Sequence, residues 1–148
     1  MLRQFLVGGT VSLANIVLHA IATTLVVAVV RRVGSWEGRE ATLWLAAVMV
    51  AAVAVLLVAH VAEVILWSAT YRIVDAVPPE SDVLYFAFVN YTTLGYGDIV
   101  PVERWRLLGP MTAMNGILLF GWSTAVIFEV LDRATHMRDR RGKSQDHS

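Results

Sequence analysis

Residues 82–98 read DVLYFAFVNYTTLGYGD, a short apolar run followed by an alternation of glycine with bulkier residues. The apolar run is too short to cross a bilayer, which needs about 20 residues. Ser81 and Asp82 stand where a helix N-terminus favours capping oxygens and negative charge. We therefore expect a helix of about three turns here, which ends before the glycines.

Three longer apolar stretches surround this segment, at residues 2–30, 41–68 and 107–131. Each is long enough to span a hydrocarbon core of about 30 Å. The first is too long for a secretory signal and no clear small-residue cleavage site follows it, so we expect it to be retained. The chain is 57% hydrophobic and only 16% charged. The sequence therefore predicts an all-α membrane protein with three transmembrane helices and one re-entrant short helix.

The remaining composition excludes several classes of function. Twelve basic and twelve acidic residues give no net charge, so no global field favours nucleic acid. There are no cysteines for disulfides, thiolate metal sites or thiol catalysis. The sequence shows no phosphate-cradling loop and no nucleophile beside a base. We expect a non-enzyme with no cofactor, no nucleic-acid partner and no small-molecule substrate.

The basic residues indicate the orientation, because cytoplasmic flanks carry the excess of Lys and Arg. Eight lie between the first two spans or after the third, and four lie on the other side. The eight are Arg31, Arg32, Arg39, Arg133, Arg138, Arg140, Arg141 and Lys143, and the four are Arg3, Arg72, Arg104 and Arg106. We expect the amino terminus outside, the carboxyl terminus in the cytoplasm, and the short helix entering from the external face.

The glycines of the segment have a chemical consequence. Non-helical chain persists at membrane depth only where protein surrounds it or where it lines a watery path. Gly95 and Gly97 accept positive φ angles at little steric cost. Alternating backbone handedness can turn successive carbonyl oxygens to one side, and such a row can replace the water around a dehydrated cation.

The segment 92–98, Thr-Thr-Leu-Gly-Tyr-Gly-Asp, resembles the signature sequence of potassium channels, with Leu94 where Val or Ile is usual. The resemblance covers residues 83–130 and includes Pro101 after the segment. It implies passive, selective movement of K⁺ ions, the only bound species expected. The ion sites would be the carbonyls of Thr93, Leu94, Gly95 and Tyr96 with the Thr93 hydroxyl, in a filter completed by Gly97.

One chain supplies a quarter of each carbonyl ring, so this function requires a homotetramer surrounded by membrane lipid. The resemblance is to small prokaryotic channel subunits of the inner membrane, with one additional amino-terminal helix. It divides the chain into that helix at 1–31, a pore domain at 41–133 and a short polar tail, expected to be mobile, at 134–148.

The same resemblance assigns supporting residues around the filter. Tyr85 and Phe86 match aromatic positions that pack behind it, and Asp98 would lie at the outer mouth. Some relatives carry a pore-helix Glu that bonds this aspartate, whereas this sequence has Val89 there. Filter support must then come from elsewhere.

His60 and Glu63 are three apart on one face of the second span, at a depth where charge is costly. They either play a structural role or support the back of the filter in place of the missing Glu. A metal site is the weakest alternative, because the sequence offers no further ligand. Asn15 and His19 share a face of the first span and predict helix packing. Proton sensing by His19 or His60 stays a conjecture at this stage.

The third span carries candidate cavity or gating residues. Asn115, Ser123 and Thr124 interrupt its apolar surface and either face an aqueous cavity or bond neighbouring helices. Gly116 and Gly121 either permit bending or allow close packing. Five aromatic residues fall near span ends and predict interfacial anchors: Trp36, Trp44, Trp67, Tyr71 and Trp105.

Two rivals to a potassium channel remain on sequence grounds. The first is a non-selective cation channel with the same fold, against which the intact Gly95-Tyr96-Gly97 and Thr93 argue. The second is a non-conducting scaffold subunit that uses the pore fold to bind another channel or transporter.

Overall fold

The computed structural model describes the main chain of residues 1–32 and 39–145 and the side chains of residues 1–30 and 42–132, and every regular element in that part of the chain is a helix. The elements are α1 (Leu2–Arg32), α2 (Arg39–Ile73), α3 (Val83–Tyr91), a 3-10 turn (Glu103–Trp105) and α4 (Leu108–Gln145). Three stretches are long and apolar enough to cross a membrane, Leu2–Val30, Thr42–Ile73 and Glu103–Asp132. The predicted fold class, with its short helix between the second and third spans, is confirmed.

α1 packs against both α2 and α4 with one face and leaves the opposite face exposed. One face is exposed and apolar along the helix at Leu6, Leu13, Val17, Ile21, Leu25 and Val29. The buried face includes polar Gln4, Asn15 and His19 and then apolar Ala22, Val26 and Val30. A helix of this kind presents hydrocarbon to lipid and polar groups to its neighbours. The first span is therefore part of the packed bundle.

α3 lies between α2 and α4, held at both ends by hydrogen bonds. At its start the Asp82 side chain accepts a hydrogen bond from the Tyr85 N–H at 3.0 Å, the capping predicted from the sequence. At its end the Thr92 N–H bonds the Phe88 carbonyl at 2.9 Å. The helix is nine residues long, so the alternating segment begins where α3 stops.

An aromatic core joins α2 to α3 and α4. Trp67 and Tyr71 are fully buried there, and the Tyr71 ring lies 4.9 Å from the ring of Phe86. The sequence predicted that Trp67 and Tyr71 are interfacial anchors, and their burial inside the protein contradicts that prediction. The polar tips of both rings find partners inside the bundle, so neither needs interfacial water. Trp36 lies outside the described residues.

Two helices run further than their apolar stretches. α2 continues to Ile73 and α4 to Gln145, where the sequence predicted ends near residues 68 and 131. Hydropathy marks only the part of a helix that lies in lipid, and Arg, Lys, Met and Gln after residue 132 are good helix formers. The main chain of the predicted tail is therefore helical as far as Gln145.

Candidate functional site: an alternating segment beside a buried polar cluster

The segment 92–98 has the alternating backbone expected of it. Thr93, Gly95 and Gly97 have φ angles of 62°, 58° and 76°, whereas Leu94 and Tyr96 between them remain at negative φ. A positive φ is rare for a β-branched residue such as Thr, so its presence at Thr93 marks a constrained site. This alternation is the geometry that turns successive carbonyls towards one side.

The amides of Thr93, Leu94 and Gly95 are bonded to α3, whereas the carbonyl oxygens of residues 93–97 accept no hydrogen bond from the described residues. The N–H of Thr93 bonds the Asn90 carbonyl at 2.9 Å, and those of Leu94 and Gly95 bond the Val89 carbonyl at 2.9 and 3.3 Å. These are carbonyls that a helix end leaves without intrahelical partners. Within the described part of the chain, no carbonyl of residues 93–97 accepts a hydrogen bond. Those oxygens are available to a ligand.

The chain alone leaves the side chains of this segment uncovered. Leu94 and Tyr96 are 54% and 67% exposed, and Thr93, Gly95 and Gly97 are exposed as well. The resemblance implied that Leu94 and Tyr96 point backwards into protein. The described part of the chain does not cover them in this way.

The two aromatic positions of α3 differ in their surroundings. Phe86 is buried against Tyr71, whereas Tyr85 lies at the surface near Asp98. A hydrogen bond with the Asp98 carboxylate raises the pKa of the Tyr85 hydroxyl. Asp98 also accepts a hydrogen bond from the Ile99 N–H at 3.1 Å. Asp98 thus links the outer end of the segment to the start of α3.

Behind α3 lies a buried cluster centred on the Glu63 carboxylate of α2. The Nδ1 atom of His19 lies 2.9 Å from Glu63 Oε1, and the Nδ1 atom of His60 lies 3.1 Å from Oε2. The hydroxyl of Tyr91, the last residue of α3, also donates to Oε2. Glu63 and His19 are fully buried, and Tyr91 is almost so. Three helices therefore meet at one carboxylate. Tyr91, the residue that α3 contributes, lies two positions before Thr93.

Ser123 of α4 closes this cluster on its other side. Its Oγ atom lies 2.9 Å from His60 Nε2 and 3.2 Å from His19 Nε2. Donor atoms of His19, His60 and Glu63 lie within 4.8 Å of one another, close enough to hold a metal ion. The sequence showed no third metal ligand beside His60 and Glu63. The fold brings His19 to them, which corrects that prediction. Hydrogen bonds nevertheless occupy all four imidazole nitrogens.

A second polar group surrounds Asn115, about two turns nearer the start of α4 than Ser123. Its Oδ1 atom accepts from Asn15 Nδ2 at 2.9 Å and from Trp67 Nε1 at 3.0 Å. Asn115 and Ser123 are both buried, which corrects the cavity alternative for these two residues and leaves helix-to-helix bonding. Thr124 is exposed and bonds the Phe120 carbonyl of its own helix. Thr124 remains a cavity candidate.

The two glycines of α4 have different surroundings. A Cβ atom on Gly116 would meet the Tyr91 carbonyl oxygen at 2.0 Å, so this glycine permits close packing of α4 on α3. A Cβ atom on Gly121 would meet nothing within 4 Å. Packing within the chain therefore accounts for Gly116 but not for Gly121, which stays a gating candidate.

Comparison with known proteins agrees with this geometry. The sequence model described as "Ion channel" matches residues 45–133, more than half of the chain, including the whole segment, α3 and most of α2 and α4. The chain belongs to the ion channel family. It is accordingly a membrane channel protein and not an enzyme.

A curated relative narrows the kind of channel. The channel resembles potassium voltage-gated channel subfamily A member 2 of Oncorhynchus mykiss, with 33% identity over 89 residues. The alignment covers 55% of this channel but only 18% of the relative. No solved structure matches the chain significantly. The predicted potassium channel pore-loop family is thereby confirmed.

Sequence reasoning missed two members of the channel's polar clusters, Tyr91 and Trp67. Each is a large ring with one polar atom, and such a ring needs a hydrogen-bond partner when it is buried at membrane depth. This hydrogen-bonding requirement is the feature of the sequence by which both residues could have been found. The family match begins at residue 45, yet α1 supplies Asn15 and His19 to the clusters behind the pore segment. The additional helix is thus bonded into the pore region of this channel.

Proposed function

We propose that the chain is a potassium-selective channel that moves K⁺ passively through a filter formed by residues 93–97. The observation that carries the proposal is the row of carbonyl oxygens in an alternating backbone, with the amides of Thr93, Leu94 and Gly95 already bonded elsewhere. Carbonyl oxygens in such a row can replace the hydration shell of a potassium ion. The carbonyl end of α3 adds a partial negative charge beneath the filter.

The proposed channel is a homotetramer, for two reasons. One chain provides only a quarter of each carbonyl ring. Leu84, Phe88, Leu94 and Tyr96 also form an exposed apolar surface around the segment that its own chain does not cover. Apolar surfaces of this kind mark contacts with other proteins or with lipid. Three further copies would cover this surface and complete the filter.

The proposed location is a prokaryotic inner membrane, with the amino terminus outside and the carboxyl terminus in the cytoplasm. This orientation puts the eight basic residues of the sequence count on the cytoplasmic side. It also makes Asp98 and Tyr85 face the external solution. Cations arriving from outside would meet the Asp98 carboxylate first.

The test is potassium flux and reversal potential for the purified protein in liposomes, with Gly95→Ala as the decisive variant. Gly95 has a φ angle of 58°, so an alanine there strains the filter backbone. Gly9→Ala is the matched control, because a Cβ atom on Gly9 meets nothing within 4 Å. We expect wild type and Gly9→Ala to conduct potassium over sodium and Gly95→Ala to conduct neither.

Two other results would overturn the proposal in different ways. A wild-type protein that passes both ions equally is a non-selective cation channel. A wild-type protein that is silent across pH, voltage and membrane tension, although it is folded and inserted, is a scaffold subunit.

A further inference from the structure

Four buried side chains behind α3 form a closed ring of hydrogen bonds, which we call the His–Glu–Ser ring. It runs from Glu63 to His19 at 2.9 Å, from His19 to Ser123 at 3.2 Å, from Ser123 to His60 at 2.9 Å and from His60 back to Glu63 at 3.1 Å. Each imidazole uses both of its nitrogens. Three helices contribute, α1, α2 and α4.

The ring has a definite proton requirement. Four hydrogen bonds need four protons, one in each bond. The Ser123 hydroxyl brings one, and two neutral imidazoles bring one each. The fourth is an excess proton, and its positive charge balances the negative charge of Glu63. A ring with all four bonds made is therefore electrically neutral, which suits a site in the membrane interior.

Tyr91 determines where these protons lie. Its single hydroxyl proton is donated to Glu63 Oε2, so the His60 Nδ1 atom 2.9 Å from the Tyr91 oxygen must itself carry a proton. Tyr91 and the two imidazoles then donate three hydrogen bonds to Glu63, which stabilise the ionised carboxylate. Both Nδ1 atoms are protonated in that state. Ser123 can donate to only one Nε2, so the other Nε2 holds the excess proton.

We propose that the His–Glu–Ser ring is a binding site for one proton, and that Tyr91 couples occupancy of this site to the filter. Titratable groups face the site from three packed helices: His19 from α1, His60 and Glu63 from α2, and Tyr91 from α3. The described part of α4 contributes Ser123, which does not titrate. A proton relay through Ser123, in which its oxygen takes the proton of the charged Nε2 and gives its own proton to the other Nε2, moves the excess positive charge between His19 and His60 without net transfer out of the ring.

The coupling follows from the position of Tyr91 at the end of α3. When the excess proton leaves, the Ser123 oxygen and one imidazole Nε2 atom face each other without a proton between them. The buried negative charge of Glu63 then has no positive charge to balance it. The Tyr91 hydroxyl is bonded to that carboxylate, and its main chain leads within two residues to Thr93. We expect selectivity to be lost at alkaline pH. This part of the inference rests on the proposed function, whereas proton binding does not.

Proton binding is tested by counting protonated imidazole nitrogens in the assembled protein by ¹⁵N NMR. The chain has four histidines, and the variant His136→Gln/His147→Gln leaves His19 and His60 as the only two. Near neutral pH we expect three of their four nitrogens to carry hydrogen. Any other number overturns the ring, as do two histidines that titrate independently near their ordinary value of about 6.5. One tightly held divalent metal per chain, found by elemental analysis, overturns it in favour of a metal site.

Coupling to the filter is tested with Ser123→Ala, which removes the bridge between the two imidazoles. Without that acceptor the excess proton is held less tightly, so we expect selectivity to be lost at a lower pH than in the wild type. Thr24→Ala is the control, because Thr24 of α1 is exposed and bonds the Ala20 carbonyl of its own helix. An unchanged pH profile for folded Ser123→Ala overturns the coupling.

The two measurements separate this inference from the proposed function. The nitrogen count requires no conduction, so a protein that passes no potassium but has three protonated nitrogens retains the ring and loses the proposed function. A potassium-selective channel whose two histidines titrate independently retains the proposed function and loses the ring. If Ser123→Ala does not fold, the coupling is tested by measuring selectivity at alkaline pH in the His136→Gln/His147→Gln variant. Selectivity that is retained after the ring has lost its proton overturns the coupling.

Discussion

Gly116 of α4 lies against the main-chain carbonyl of Tyr91, so closely that a Cβ atom at position 116 would come within 2.0 Å of that oxygen. The carbonyl belongs to the last residue of α3, and the Tyr91 side chain is bonded to Glu63. α4 thus touches the helix end from which the alternating segment begins. The contact requires the absence of a side chain at position 116.

Gly116→Ala is expected to destabilise the assembled protein by roughly 1–3 kcal/mol, the usual cost of overpacking a well-packed site. The neighbour is main chain and cannot rotate away. Gly121→Ala is the matched control, because a Cβ atom there meets nothing within 4 Å. Thermal unfolding in detergent measures both variants. Equal unfolding temperatures for the two would contradict the close packing.

Asn115→Leu is expected to lower stability and to leave conductance unchanged in channels that still assemble. The substitution removes the oxygen that accepts from Asn15 and Trp67, and each unpaired buried donor costs about 1–3 kcal/mol. Unfolding and single-channel conductance are measured side by side. Thr24→Ala is the control for loss of an exposed polar group on a membrane helix. Altered conductance at full stability would instead make Asn115 a cavity residue.

Asp98→Asn is expected to lower the pKa of Tyr85 towards its ordinary value of about 10, because the negative partner of the hydroxyl is lost. The pKa of Tyr85 in the folded wild type is raised. Its hydrogen bond therefore stabilises the fold fully below about pH 10 and is lost as pH rises through the folded value. Tyrosinate absorbance, with Tyr85→Phe to identify the signal, measures the shift. Glu80→Gln changes another exposed carboxylate and should leave the titration unmoved.

Cysteine labelling can test the orientation, since the natural chain has no cysteine to interfere. A membrane-impermeant maleimide added to intact cells should label Glu80→Cys, which lies in the exposed loop before α3. Ser148→Cys should react only after permeabilisation, because the basic residues predict a cytoplasmic carboxyl terminus. The reverse pattern would put the filter mouth in the cytoplasm.

Much of the candidate site could be predicted from local sequence. The Asp82 cap, the short helix and the alternating residues at 93–97 depend on interactions within a few positions of one another. Backbone preferences and helix capping act over that same range. Such features are legible without knowing which helices meet.

The partners of Glu63 could not be predicted in this way. His19 lies 44 positions away and Tyr91 lies 28 positions away. Hydropathy marks α1 and α2 as spans but carries no information about which faces meet or at what depth. The environment of Trp67 was predicted wrongly for the same reason. Its position near the end of a span does not reveal that its Nε1 donates to Asn115 on another helix.

The sequence by itself determined the three spans, the short helix between them and the alternating backbone of residues 93–97, because apolar length, caps and glycines act locally. Only the tertiary structure decided that the additional helix is bonded into the pore region and that two histidines, a glutamate and a serine close into one ring of hydrogen bonds. The reason is physical. At membrane depth each buried polar group must find a partner, and helix packing alone determines which partner is within reach.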